Sequence, residues 1–152
     1  MQSRISVQES PFEVASECHW LAIQSQETGG IATFLGVVRD INEGDPIASL
    51  YLEHYPGMTE KQIEEIIKEA NDRWDVIAAS VIHRIGRLEP GEQIVFVGVA
   101  SRHRGEAFDA CEFIIDYLKT RATFWKKEQT PAGERWLETR DSDLDTAAAW
   151  KR

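Results

Sequence analysis

Apolar residues along this chain switch between a period of two and a period of three to four, and the switches mark its elements. Residues 4 to 7 read as a short strand. "PFEVASECHWLAIQ", 11 to 24, puts Pro11 at a helix start with apolar residues at helical spacing behind it. Ile31 to Val38 is β-branched and aromatic, opens on Gly29 and Gly30, and predicts a strand. "INEGDP" has the composition of a loop. "ASLYLEHY" then alternates Leu50, Leu52 and His54 against Tyr51, Glu53 and Tyr55, the period of another strand.

In "PGMTEKQIEEIIKEANDRW", Ile63, Ile66, Ile67 and Ala70 form a helical stripe, with Trp74 one turn further. Thr59 is the expected N-cap, and Gln62 three residues on completes a capping-box pattern. "VIAASVIHRIG" and "QIVFVGVAS" predict two strands joined by the turn "RLEPGE". The unbroken apolar run Ile94 to Val99 predicts that both faces of its strand are covered. From about Gly105, the residues Phe108, Cys111, Ile115, Leu118, Ala122 and Trp125 step by three and four along one face of a long helix. "ERWLETR" reads as a late strand, and the tail "DSDLDTAAAWKR" as polar, then Ala-rich and prone to fray. This order predicts an α+β protein with a mainly antiparallel sheet and two principal helices. Residues 1 to 140 are read as a single domain and 141 to 152 as its tail.

Composition narrows the class. A chain of 152 residues with 42% hydrophobic and 28% charged residues is that of an ordinary globular domain with a real core. No apolar run approaches the roughly 20 residues of a membrane helix. "MQSRISVQESPFEV" lacks an apolar secretory core, so the expected location is the cytoplasm. Cys18 and Cys111 form no C-x-x-C pair, which argues against a disulfide framework or a zinc site. A net charge of -9 disfavours tracking along nucleic-acid phosphates but leaves room for a local basic pocket.

That pocket has candidates. "YLKTRATFWKKE" crowds Lys119, Arg121, Lys126 and Lys127 among Tyr117, Phe124 and Trp125. On a continuous helix, Lys119 and Lys126 would leave the same face about 10 Å apart along the axis. At the border of the buried stripe they would be partly desolvated and could converge on one phosphate-sized anion. Lysines there can equally snorkel and only cover apolar surface. "SRHRGEAF" sets Arg102, His103 and Arg104 where a strand gives way to a helix, a place that favours anions. Glu106 and Asp109 could complement that helix end without any ligand. Arg39, in "GVVRD", ends an apolar strand, as functional residues often do, or pairs with Asp40 or Glu43. His19, His54 and His83 assemble no metal site, and His83 reads as a hydrogen-bonded imidazole in a strand. Cys111 sits on the apolar stripe as a small hydrophobe.

Taken together, "TFLGVVRD", "LYLEHYPGMTEK", "VIHRIGRLEPGEQIVFVGVASRHR", "YLKTRATFWKKE" and "ERWLETR" resemble the large, catalytic subunit of molybdopterin synthase, in order and spacing from about residue 30 to 140. The resemblance implies an α/β-hammerhead-type fold and a sulfurtransferase that needs neither metal nor cofactor. It would convert cyclic pyranopterin monophosphate into the dithiolene molybdopterin. Sulfur would come from the C-terminal glycine thiocarboxylate of a small ubiquitin-like partner. Two large subunits would form the centre of a heterotetramer. By resemblance, Lys119 is the essential pocket lysine and Lys126 the second, with Arg39 and the backbone of Val37 and Val38 in the same wall. His103 and Arg104 would reach the pocket from the other protomer. Lys127 and Glu128 would contact substrate beside Lys126, and Arg140 would lie near the site. Position 37 is Val where some family members carry a polar or basic residue. The competing reading is a non-catalytic nucleotide- or RNA-binding module, its aromatics stacking on bases.

Overall fold

The computed structural model describes residues 1–42, 45–46, 49–137 and 141–151, with the backbone alone at 41, 42, 45, 46 and 141. Its elements run β1 (Gln2–Gln8), α1 (Val14–Ala22), β2 (Gly30–Val37), β3 (Ile41–Asn42), β4 (Asp45–Pro46), β5 (Ser49–His54), α2 (Met58–Arg73), β6 (Ala78–Arg84), β7 (Gly86–Leu88), β8 (Gln93–Ser101), α3 (Arg104–Arg121), β9 (Phe124–Thr130), β10 (Gly133–Leu137) and α4 (Asp141–Ala148), then a 3-10 turn, Ala149–Lys151. The class is the expected α+β, with α2 and α3 the two long helices. Among the described residues no helix is long and apolar enough to cross a membrane.

Two four-stranded sheets carry the fold. The first has the order β1-β6-β8-β2, in which only the β1–β6 pair is parallel. The second, β10-β9-β5-β7, is antiparallel throughout. Because β8 is central, its side chains are buried on both sides, as its apolar run predicts. Phe96 and Ala100 meet Leu21 of α1 on one face. Val95, Val97 and Val99 meet the stripes of α2 and α3 on the other. A smaller cluster, Val38, Leu50, Leu52 and Leu88, closes the second sheet, and Ile94 touches both it and the main core.

Several expectations fail, and contacts distant in sequence decide most of them; in the stretch expected as a loop, the backbone of Ile41–Asn42 pairs with Asp45–Pro46. The long helix does not run on to Trp125. Ala122 is already extended, and β9 begins at Phe124. Thr59 and Gln62, expected to cap α2, clamp this break instead. Thr59 Oγ1 donates to the Thr123 carbonyl at 2.8 Å, and the Thr123 N–H donates to Gln62 Oε1 at 2.8 Å. α2 starts from Gly57 at φ 84° with no side-chain cap. Thr59, one residue inside the helix, also accepts the Tyr55 N–H. A buried peptide that loses its helical partners needs others, and here a tertiary clamp supplies them.

The tail is docked rather than frayed. Ala147 is buried, and Trp150 stands edge-on to Trp74 and Phe113. Its Nε1–H donates to Asp116 Oδ2 at 2.6 Å. Trp125, placed by its spacing on the buried stripe, is 47% exposed on the outer face of the second sheet.

Candidate functional site

Strand alternation decides which residues of "FWKKEQT" face inward. In β9, Phe124, Lys126 and Glu128 point to one side, while Trp125, Lys127 and Gln129 point to the other. The inward set forms one wall of a cavity of about 390 Å³. The last turns of α3 add Ile115, Leu118 and Lys119, and α4 adds Asp143. Phe34 to Arg39 close the third side. There β2 breaks register between Gly36 and Val37, and a bulge of this kind turns a strand end and re-aims its side chains. Val38 is fixed at the turn, its N–H on the Glu92 carbonyl and its own carbonyl accepting from Gly91.

Cations from three separate elements therefore share one space: Arg39 after β2, Lys119 on α3 and Lys126 on β9. Lys119 is exposed and Lys126 half-buried. Their convergence does not come from one helical face, as the spacing suggested, but from a helix end meeting a strand. Arg39 has no ion-pair partner among the described residues, and its neighbour Asp40 does not hold it. Glu128 is 1% exposed, and Arg135 Nε donates to its Oε2 at 2.9 Å, so this carboxylate is compensated as a buried charge must be.

Other expected site residues are not brought here. Lys127 faces away, 3.1 Å from Glu134 and over the Trp136 ring, in a shallow groove with Tyr51 and Arg87. Its neighbour in sequence contacts the cavity, and a strand cannot present both. His103 and Arg104 start α3, about 22 Å along the axis from Lys119, and both are exposed. Arg102 beside them is held by Glu27 and Asp75. Arg140 lies outside the described residues, as does Glu43, the second partner considered for Arg39.

His83 belongs to this cavity, though its sequence context suggested only a strand imidazole. It is 6% exposed, stacked on Phe124 with ring centroids 3.9 Å apart, and its Nδ1 lies 2.8 Å from the Arg84 carbonyl oxygen. Burial above all pushes its pKa down to about 3, against a usual 6.5, and Lys126, Lys119 and His54 oppose protonation further. A histidine in a strand that is apolar on both faces was the available signal, since a buried ring nitrogen needs a partner. A measurable consequence follows from linkage. Between pH 6.5 and about 3 the unfolded chain binds a proton that the folded chain refuses. This contribution to stability is fully present above pH 6.5 and is lost as pH falls through that window, by up to about 1.4 kcal/mol per pH unit. Urea unfolding at a series of pH values should show this slope, and His83→Gln should remove it.

No cysteine serves the cavity. Burial, helped by Glu112, pushes the Cys111 thiol up to about 12, and its Sγ faces the Val97 carbonyl. Cys18, on α1, packs against the other cluster.

The family described as MoaE protein matches residues 7–121. The molybdopterin synthase catalytic subunit of Salmonella typhimurium is 54% identical over 149 residues, covering 98% of this chain and 99% of that protein. The solved molybdopterin biosynthesis MoaE protein of Burkholderia ambifaria superposes with a TM-score of 0.85 at 45% identity, over 99% of both chains. A chain from the complex of subunits 1 and 2 of molybdopterin-converting factor from Helicobacter pylori has a TM-score of 0.71 over 91% of both chains. At 18% identity that likeness shows the fold alone.

Proposed function

The chain belongs to the MoaE protein family, and from that premise we propose that it is the catalytic subunit of a molybdopterin synthase. It moves sulfur from the C-terminal thiocarboxylate of a small ubiquitin-like carrier onto cyclic pyranopterin monophosphate, building the dithiolene. The observation that carries this reading is the meeting of Arg39, Lys119 and Lys126 around one cavity. Its volume suits a pterin-sized ligand.

The chemistry asks for fixed positive charge. A phosphorylated pterin and a thiocarboxylate are both anionic, and their approach in a confined space is opposed by Coulomb repulsion. Cations already in place reduce that repulsion and stabilise charge that develops during transfer. Lys126 and Arg39 hold the phosphate, the arginine with a fork that lysine lacks. Lys119, at the helix end, faces the reacting centre. Glu128 sets the inner wall beside Lys126.

His103 and Arg104 complete the anion cradle of a second copy, across a dimer. Their distance from Lys119 within one chain supports this, and so does the apolar surface available for pairing. Phe34, Leu35 and Val37 are exposed on β2, the edge strand of the first sheet, and Phe108 is 63% exposed on α3. An unpaired edge with such side chains suits burial against a partner. Arg140 joins the same anion site, and Lys127, which faces away from the cavity, meets the carrier from the outer face of β9. The decisive experiment incubates the purified chain with thiocarboxylated carrier and cyclic pyranopterin monophosphate, then assays for dithiolene. Absence of product would reject the reading.

A further inference from the structure

We propose that His83 is a substrate-contacting acceptor: its neutral ring offers Nε2 to an N–H or O–H donor of the heterocycle bound in the cavity. This rests on the sulfur-transfer reading and adds a residue to it. A carbonyl oxygen can only accept, so the 2.8 Å contact with the Arg84 carbonyl requires the proton to sit on Nδ1. In a neutral imidazole Nε2 then carries the lone pair. Lys126 on β9, Lys119 on α3 and His54 on β5 face the ring electrostatically, and each opposes a second proton. His54 is itself near Glu60.

No described group hydrogen-bonds Nε2. Nor is this nitrogen among the described buried polar atoms that lack a partner, so it keeps an opening, and the space open to this ring is the cavity it lines. The other polar side chains around that space are the cations, two carboxylates, Glu128 and Asp143, and the Thr120 hydroxyl, which donates to the Asp116 carbonyl of its own helix. Arg135 engages Glu128. His83 is thus a neutral acceptor deep in a site whose cations select for anions. Its ring is held flat on Phe124 and pinned through Nδ1, so the direction of Nε2 is fixed. Fixed, neutral acceptors suit the amide and amine donors of a pterin, because they read a hydrogen-bond pattern without adding charge.

Two substitutions separate the ring's two nitrogens. His83→Asn keeps a donor near Nδ1 for the Arg84 carbonyl and loses the acceptor at Nε2. His83→Gln places an amide oxygen near the Nε2 position. In the full chain with thiocarboxylated carrier, His83→Asn should raise KM for the pterin about tenfold to a hundredfold, with kcat and melting temperature close to the unaltered chain. His83→Gln should recover most of that KM. An unchanged KM in His83→Asn would overturn the proposal. So would a fall in kcat at constant KM, which would assign the ring to the lysines instead. Equal losses in both variants with lowered melting would mark a purely structural residue. Ring 15N NMR of the unaltered chain gives a readout that needs no variant: the His83 Nε2 resonance should move when pterin substrate binds, and a stationary resonance would also overturn the proposal. Failure of the unaltered chain to form dithiolene sinks the sulfur-transfer reading itself. Product formation with an unchanged KM in His83→Asn sinks only this inference.

Discussion

Lys119→Ala is expected to lower dithiolene formation by about a hundredfold to a thousandfold, while the fold and docking of the carrier survive. Both halves follow from where the residue stands. Lys119 lies in the last turn of α3 and is exposed, so its removal uncovers little apolar surface. The stability at stake is its interaction with the helix end and ordinary surface effects, at most about 1 kcal/mol. Its side chain nonetheless lines the cavity with Arg39 and Lys126. An ammonium fixed where charge develops is worth several powers of ten in rate because it does not have to reorganise. Single-turnover assay of product, beside a thermal melt and a carrier-binding titration, separates these effects. Near-normal turnover would remove Lys119 from the chemistry. A large drop in melting temperature would show that it is structural. Lys119→Arg should recover part of the rate, since charge returns on a longer, planar group.

The sequence pattern located most of what holds this site and misjudged how the site is put together. The apolar run of β8 and the stripe of α2 were legible because burial writes a simple period into them. The end of α3 was not. Ala122 and Trp125 continue its steps of three and four, yet the same residues also fit a strand in which Trp125 faces out. Pairing with β5 and the clamp from Thr59 and Gln62 decide between the two. Those are long-range contacts that no local period records. Thr59 and Gln62 likewise satisfy a capping pattern on paper and serve the chain elsewhere.

That misplacement bears on the competing reading. With Trp125 and Trp136 exposed beside Lys127, burial of the aromatics no longer argues against stacking on bases. The net charge of -9 still does, and so does an anion site sunk in a cavity instead of spread along a groove. His83 was undervalued for a related reason. Its neighbours in sequence are apolar, and only the packed structure shows an open space against its ring.

Phe113→Ala is expected to cost about 3–5 kcal/mol, the largest stability loss from a single truncation near the site. Phe113 is 2% exposed on α3. Its ring stands edge-on to Trp74 at 5.4 Å, Tyr117 at 4.7 Å and Trp150 at 5.6 Å, with the Arg73 guanidinium 5.0 Å away. Three elements meet on it: α2 through Trp74, α3 through Tyr117, and the C-terminal segment through Trp150. Truncation leaves a cavity that rigid aromatic walls cannot collapse into, and it removes edge-to-face contacts that add to the area buried. At about 2–4 °C per kcal/mol for a chain of this length, melting should fall by about 10 °C. Trp150→Ala should cost less, because that ring is only half-buried, but it should free the segment carrying Asp143. Lys119 sits on the same helix as Phe113, so activity should fail with the melt and not before it. Well below the transition, kcat of Phe113→Ala should stay within a few-fold of the unaltered chain, since no reacting group has moved. A loss under about 1 kcal/mol by urea titration would mean that the aromatic cluster packs loosely. A collapse of kcat in the fully folded variant would mean that the position of Lys119 depends on this ring more directly than the packing indicates.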